Sequence, residues 1–286
     1  MSQLPPDSRL LSIPYLGSSL TLSSRWEYSD AWAGSFIKFC TTEPLTSWFI
    51  RIGPKSQRKD RWNGGTPMFA VSRVIQSYSS GPGTVETKTY NAQPGTFVRL
   101  WDEKLEERDS AGTAQEYSVT ITMIDWASLL EIEGFICCKG FWKPHPVIEN
   151  NKILFIGDSI TCGLALEPSN GGQPMPCGIL DAFPAQALSM LRNRNLDPLA
   201  LEVVAYPGIC LVDLDQQNQD GSLSFAMSGM TSRFFHTTPW EPLPWTPRGS
   251  PHFIWLALGT NDEANDVSPR LFRSALEQFI RTLSSP

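Results

Sequence analysis

Tyr117-Ser118-Val119-Thr120-Ile121-Thr122-Met123 alternates apolar and polar residues, which places Tyr117, Val119, Ile121 and Met123 on one face of a half-buried strand. Comparable β-prone runs lie at 34–40, 46–52, 68–75, 85–90, 97–101 and 130–137. Turn clusters separate them, at Gly64-Gly65-Thr66-Pro67, Ser79-Ser80-Gly81-Pro82-Gly83 and Gln93-Pro94-Gly95. Short strands punctuated by Gly and Pro, with no long helical period among them, predict an all-β sandwich of the jelly-roll kind over residues 1–146. Trp26, Trp48 and Trp101 are its expected core tryptophans.

After Trp142-Lys143-Pro144-His145-Pro146, read as a linker, the pattern changes. Ile153-Leu154-Phe155-Ile156 is a continuous apolar run, the mark of a parallel strand covered on both faces. A helix follows over 181–194, with Phe183, Ala187, Leu188 and Leu191 at helical spacing. Leu201–Ala205 and Phe253–Leu258 are two further apolar strands, and 269–283 is a last helix whose apolar stripe is read as Leu271, Leu276, Phe279 and Ile280. Strand, helix, strand, long excursion, strand, helix predicts a three-layer α/β domain over residues 147–286.

Composition excludes several classes. Among 286 residues, 23 Lys and Arg face 29 Asp and Glu, and no basic block occurs, which argues against nucleic acid as a partner. No apolar run reaches the ~18 residues of a membrane span. The first 22 residues lack a basic start and hold three prolines, unlike a secretory signal, so the expected location is cytoplasmic if Met1 is the true start. Six cysteines without a C-x-x-C and three histidines give no metal-ligating pattern, and no cofactor is expected. Cys162 and Cys177 are spaced to close a loop, with free packed thiols as the other reading. The acidic pairs within 102–109 read as a solvated face rather than as the paired carboxylates of a glycosidase.

Candidate chemistry lies where the three apolar strands end. The first runs into Gly157-Asp158-Ser159-Ile160-Thr161, the second into Pro207-Gly208, the third into Gly259-Thr260-Asn261-Asp262. Open parallel sheets bind ligands outside the carboxyl ends of their strands. A serine leaving such a strand into a short helix is exposed and suited to nucleophilic attack. A glycine lets a backbone N–H approach a ligand, and an asparagine amide can donate to a developing oxyanion. Taken singly, each is more simply a helix cap, a turn or an Asx turn.

Together these blocks resemble the SGNH, or GDSL, hydrolase superfamily. With a β-sandwich in front, and with Trp32-Ala33-Gly34-Ser35-Phe36-Ile37 and Val203-Val204-Ala205-Tyr206, the chain is most similar to carbohydrate esterase family 2. The resemblance implies Ser159 as nucleophile and oxyanion donor, Gly208 as backbone donor and Asn261 as side-chain donor. It implies removal of O-acetyl groups from a carbohydrate, or from another small ester substrate, through an acyl-enzyme and without metal. Trp240 and Trp245 lie in the excursion between the second and third strands, and Trp240 is the candidate sugar contact. A GDSL-type lipase or general short-chain esterase, and a non-catalytic carbohydrate-binding protein, are the alternatives.

The superfamily's last block is Asp-x-x-His, whose histidine is the base for the serine, and none occurs after Asn261. The expectation is a C-terminally incomplete domain, short by roughly 50–80 residues, from a shortened gene reading or a degenerate relative. Its edge would be raw, its solubility poor and its activity close to nil. Of the histidines present, His252 is placed at the amino end of its strand and His145 in the linker. His236 lies on the excursion.

Overall fold

The computed structural model describes residues 9–12, 21–22, 29–30, 32–42, 48–59, 67–76, 85–101, 116–137, 142–143, 151–164, 177–192, 199–214, 228–240, 244–245 and 250–284. It divides into two compact units, Met1–Asp30 with Ser35–Val147, and Ala31–Gly34 with Ile148–Pro286. Trp26, His145, Cys138 and residues 102–109 lie outside the described residues.

The first unit is β-sheet throughout its described part. Its strands are β1 (Arg9–Ser12), β2 (Thr21–Leu22), β3 (Ser29–Asp30), β4 (Phe36–Thr41), β5 (Phe49–Ile52), β6 (Gln57–Arg58), β7 (Met68–Gln76), β8 (Val85–Asn91), β9 (Phe97–Arg99), β10 (Glu116–Met123), β11 (Ser128–Cys137) and β12 (Trp142–Lys143). One sheet runs β1-β11-β5-β9, with β3 and β6 also on β11; the other runs β12-β4-β10-β7-β8, with β2 on β4. A shared core joins Ile37, Phe39, Val71, Val119 and Ile121 of the second sheet to Ile50, Ile132 and Phe135 of the first. Trp48 stacks on Phe39 with ring centroids 5.2 Å apart, and Trp101 is also fully buried.

Two readings need correction here. The alternation in β10 predicted one exposed face, but Ser118 and Thr122 are buried as well as Val119 and Ile121. β10 is a central strand, antiparallel to β4 on one side and β7 on the other. Trp142-Lys143 was read as the start of a linker, yet it pairs with Thr41 and Cys40 of β4. A two-residue strand has no periodicity to betray it.

In the second unit β13 (Asn151–Gly157) is flanked in parallel by β14 (Leu199–Ala205) and β15 (Phe253–Ala257), in the order β14-β13-β15. The helices are α1 (Ser159–Cys162), α2 (Phe183–Arg192), α3 (Met230–Arg233), α4 (Thr260–Ala264) and α5 (Pro269–Leu283), with a 3₁₀ turn at Gly178–Leu180. Successive strand residues face opposite ways. Phe155 meets Phe183 of α2 edge-on at 5.7 Å, while Leu154, Ile156 and Val204 share a core with Phe279 of α5. Helices therefore cover opposite faces of this sheet. Trp32 is fully buried in the same core and donates its Nε1–H to the His236 carbonyl at 3.2 Å.

The α5 stripe differs from the expected one. Leu271 and Ile280 are exposed, and the inward positions are Phe272, Ala275, Leu276, Phe279 and Leu283, one helical face at spacings of three and four. β15 differs too. Its apolar run is that of a covered strand, yet Phe253, Ile254 and Trp255 are 60%, 39% and 58% exposed. Among the described residues it is an edge strand. Cys162 and Cys177 are not bridged: both are free thiols, as is Cys210.

Candidate active site

Sheet register brings the three strand ends level. Gly157 of β13 stands beside Ala205 of β14 and Ala257 of β15. Ser159, Gly208 and Asn261 follow two, three and four residues later, so all three leave the same edge of one sheet. That edge is the carboxyl one, and β13 is the strand where the chain order switches direction.

Each position has a local cause. Asp158 caps α1, its Oδ1 accepting from the Ile160 N–H at 3.0 Å, which turns the chain sharply at Ser159. Gly157 must lack a side chain, because a Cβ there would collide with Thr161 of the same turn. Ser159 is half-buried. Tyr206-Pro207-Gly208-Ile209 closes a turn with the Ile209 N–H on the Tyr206 carbonyl at 3.3 Å. Proline second and glycine third, with Gly208 at φ 74°, is the signature of a type II turn, in which only glycine takes that third position without strain. Among the described residues, neither Ser159 Oγ nor the N–H groups of Ser159 and Gly208 make a hydrogen bond.

Asn261 ties these pieces together. Its Nδ2 donates to the Ile209 carbonyl at 3.0 Å and lies 3.5 Å from Asp158 Oδ2. It thus touches the immediate neighbours of both Gly208 and Ser159. One amide hydrogen is engaged on Ile209; the other has only the long contact to Asp158. The next residue fixes the loop from beneath. Asp262 is buried and accepts from the Leu211 N–H with both oxygens, at 3.0 and 2.8 Å, and from the Val212 N–H at 3.3 Å.

Trp240 stands one ring away. Its ring and that of Tyr206 meet edge to face with centroids 5.2 Å apart, and Tyr206 is two residues before Gly208. On the other contact of that tyrosine, the buried Arg233 guanidinium lies 5.0 Å from the ring centroid. Trp245 is buried against Phe234, a packing role. His236 is half-buried, and burial first, then Arg233, hold its pKa below the usual imidazole value. His252 is far from this edge: its Nδ1 accepts from the Lys152 N–H at 3.0 Å, at the amino end of the sheet. Cys162, the last residue of α1, is buried with its thiol on the Ser159 carbonyl at 3.4 Å, and burial raises its pKa, which keeps it an inert thiol.

Asp158, Asp262, Tyr206 and Arg233 escaped the reading of the sequence. The two aspartates sit inside the Gly-Asp-Ser and Asn-Asp blocks, which was the available signal. Tyr206 stood in the Val203-Val204-Ala205-Tyr206 segment, without a role of its own, and Arg233 carried no signal.

No protein-family profile matches the sequence, and no curated protein does. Solved structures do. A family two carbohydrate esterase from Cellvibrio japonicus superposes with a TM-score of 0.65 at 16% identity, over 97% of this chain and 75% of that one. A family two carbohydrate esterase from Clostridium thermocellum, in complex with cellohexaose, gives 0.62 at 19% identity, over 92% and 73%. A carbohydrate esterase family 2 enzyme plus carbohydrate binding domain from Corynascus thermopiles (Myceliophthora fergusii) gives 0.59 at 15% identity, over 92% and 73%. The chain has the fold of the family two carbohydrate esterases. In that fold the strand ends carrying Ser159, Gly208 and Asn261 belong to the α/β unit. Among the described residues no helix is long and apolar enough to cross a membrane, and no three His, Cys, Asp or Glu are grouped to hold a metal ion.

Proposed function

We propose that the second unit is built to hydrolyse acetyl esters of carbohydrate, with Ser159 as nucleophile. The observation that supports this most is Asn261, whose amide touches the neighbours of both Ser159 and Gly208 at one sheet edge. Ser159 Oγ attacks the ester carbonyl carbon. The oxyanion takes hydrogen bonds from the N–H groups of Ser159 and Gly208 and from the second hydrogen of Asn261 Nδ2. Collapse expels the sugar hydroxyl, and water then releases acetate from the acyl-enzyme. Trp240, in edge-to-face contact with Tyr206, offers an aromatic surface for the sugar ring.

The proton on Ser159 needs a base. The resemblance assigns it to an Asp-x-x-His block that these 286 residues do not contain. A polypeptide of these 286 residues alone should turn over slowly, since a serine hydrolase without its base keeps only about 10³–10⁴-fold over water. Adding free imidazole supplies the missing base from solution.

The test is p-nitrophenyl acetate hydrolysis with increasing imidazole, in wild type and Ser159→Ala. An imidazole-dependent rate present only in wild type supports the reading. Asn261→Ala should lower that rate by about 10²–10³-fold. Identical rates in wild type and Ser159→Ala reject the nucleophile. Chain-length series of p-nitrophenyl esters against an acetylated oligosaccharide then separate a carbohydrate deacetylase from a general short-chain esterase or lipase. Oligosaccharide binding that survives Ser159→Ala, with no turnover under any condition, would favour a non-catalytic binding domain.

A further inference from the structure

The loop that leaves β14, residues 206–213, is fastened at both of its ends. Its rear is held by Asp262, on the Leu211 and Val212 N–H groups, and by the start of α3. There the Met230 and Thr231 N–H groups donate to the Cys210 and Leu211 carbonyls at 2.8 and 3.1 Å. The two backbones run so close that a Cβ on Gly229 would meet the Val212 carbonyl carbon and oxygen at 2.3 Å.

At its other end the same helix reaches the front of the loop. Arg233, the last residue of α3, is only 3% exposed. Its guanidinium is hydrogen-bonded to the Tyr206 side chain and lies 5.0 Å from that ring's centroid. Burial lowers the Arg233 pKa, and against that act first Tyr206 and then the charge of Asp213. Asp213 is itself tied to the helix, accepting from the Gly229 N–H at 2.6 Å and from Ser232 Oγ at 2.7 Å. The cation is thus fully partnered, and what it holds is a tyrosine.

Tyr206 in turn meets Trp240 edge to face, with centroids 5.2 Å apart. The Trp240 backbone N–H is on Thr238 Oγ1 at 3.0 Å, which fixes the main chain but not the ring. Among the described residues its indole N–H makes no hydrogen bond. Packing therefore orients the ring, and Tyr206 is its aromatic neighbour.

We propose that Arg233 is a positioning residue for sugar recognition: paired with Asp213 it fixes Tyr206, and Tyr206 fixes the face that Trp240 presents. The two ends of one loop then serve different halves of the ester, Asp262 the oxyanion donors and Arg233 the alcohol. The purpose of the platform rests on the hydrolase reading above. The positioning itself does not, and it can be read in the free protein.

The experiment labels the whole chain with fluorotryptophan and assigns the Trp240 fluorine resonance by its loss in Trp240→Phe. Arg233→Lys keeps the charge and loses the planar fork; Tyr206→Phe keeps the ring and loses the hydroxyl. Each should move or broaden the Trp240 resonance while those of Trp48 and Trp255 stay in place. Glucose pentaacetate, titrated by calorimetry, should bind about threefold or more weakly to each, and to Trp240→Ala. In the Trp240→Ala background, Arg233→Lys should weaken binding by less than about twofold further, because it acts through the ring. Tyr206→Phe decides if Arg233→Lys fails to fold. A Trp240 resonance unmoved in a folded variant, or full additivity with Trp240→Ala, overturns the proposal. Binding undiminished in Trp240→Ala overturns it too, by removing the platform. Weakened binding in these variants, with no Ser159-dependent hydrolysis, would sink the hydrolase reading and leave the positioning standing.

Discussion

Asp262 illustrates how a single buried carboxylate can hold a loop that no local propensity would fix. Its oxygens receive the Leu211 and Val212 N–H groups from 51 and 50 residues away in sequence. Without it those donors would be buried and unsatisfied, at about 1–3 kcal/mol each. Asp262→Asn keeps the shape but leaves one acceptor oxygen and adds two donors that the loop cannot use. We expect a loss of about 2 kcal/mol in denaturant unfolding, with Leu211 and Val212 the amides whose exchange accelerates most. An unchanged midpoint would mean that the loop finds other acceptors. The neighbouring Asn261 was legible in the sequence, because Gly-Thr-Asn-Asp follows an apolar strand at its carboxyl end. Asp262 was not legible in this role, and neither was Asp158, whose contact to Asn261 spans 103 residues. Short-range pattern identifies which residues leave a strand; it is silent on which of them reach across the fold.

At the scale of elements, α5 separates apolar character from burial. Pro269 follows the Ser268 cap, whose side chain accepts from the Leu271 N–H at 3.3 Å, so the start of the helix was readable from Ser-Pro alone. Its inward face was only half readable. Leu271, Leu276, Phe279 and Ile280 satisfy a helical spacing, but so do Phe272, Ala275, Leu276, Phe279 and Leu283, and the second set is the one that packs. Phe279 is the anchor, edge-on to Phe234 at 5.5 Å and to Phe235 at 6.5 Å. Phe279→Ala should destabilise the second unit by about 3–5 kcal/mol. Leu271→Ala, on the exposed side, should stay within about 0.5 kcal/mol of wild type. Comparable losses from both would place the helix face as the sequence pattern first suggested. The strands show the same division. Continuous apolar runs gave β13 and β14, and alternation gave β10, while β2, β3, β6 and β12, two residues each, form only because a longer strand is there to pair with.

Over the molecule as a whole, the largest conflict between local sequence and position is at β15. Phe-Ile-Trp-Leu-Ala is the composition of a strand enclosed in a parallel sheet, with apolar side chains to both faces. Here β13 pairs with it on one side, and no described strand pairs with it on the other. Phe253 and Trp255 stand exposed on one face, where Trp255 has Phe155 at 6.1 Å, and Ile254 is part-exposed on the opposite face. A flat apolar edge with unused backbone donors and acceptors is a template for association. Net charge −6 slows such contacts through general repulsion but puts no charge on the edge itself, where residues 253–257 are all apolar. The chain is therefore expected to scatter light increasingly as it is concentrated and to bind an apolar dye while folded. Replacing both Phe253 and Trp255 with Lys should suppress both signals, because a charged edge resists strand addition. The two lysines move the net charge from −6 to −4, which by itself would reduce solubility, so an improvement reports the edge and not the overall charge. Since both side chains are mostly exposed, the unfolding midpoint should shift little. A loss of several kcal/mol in the double variant would instead mean that these residues are covered in solution, and that β15 is an inner strand there.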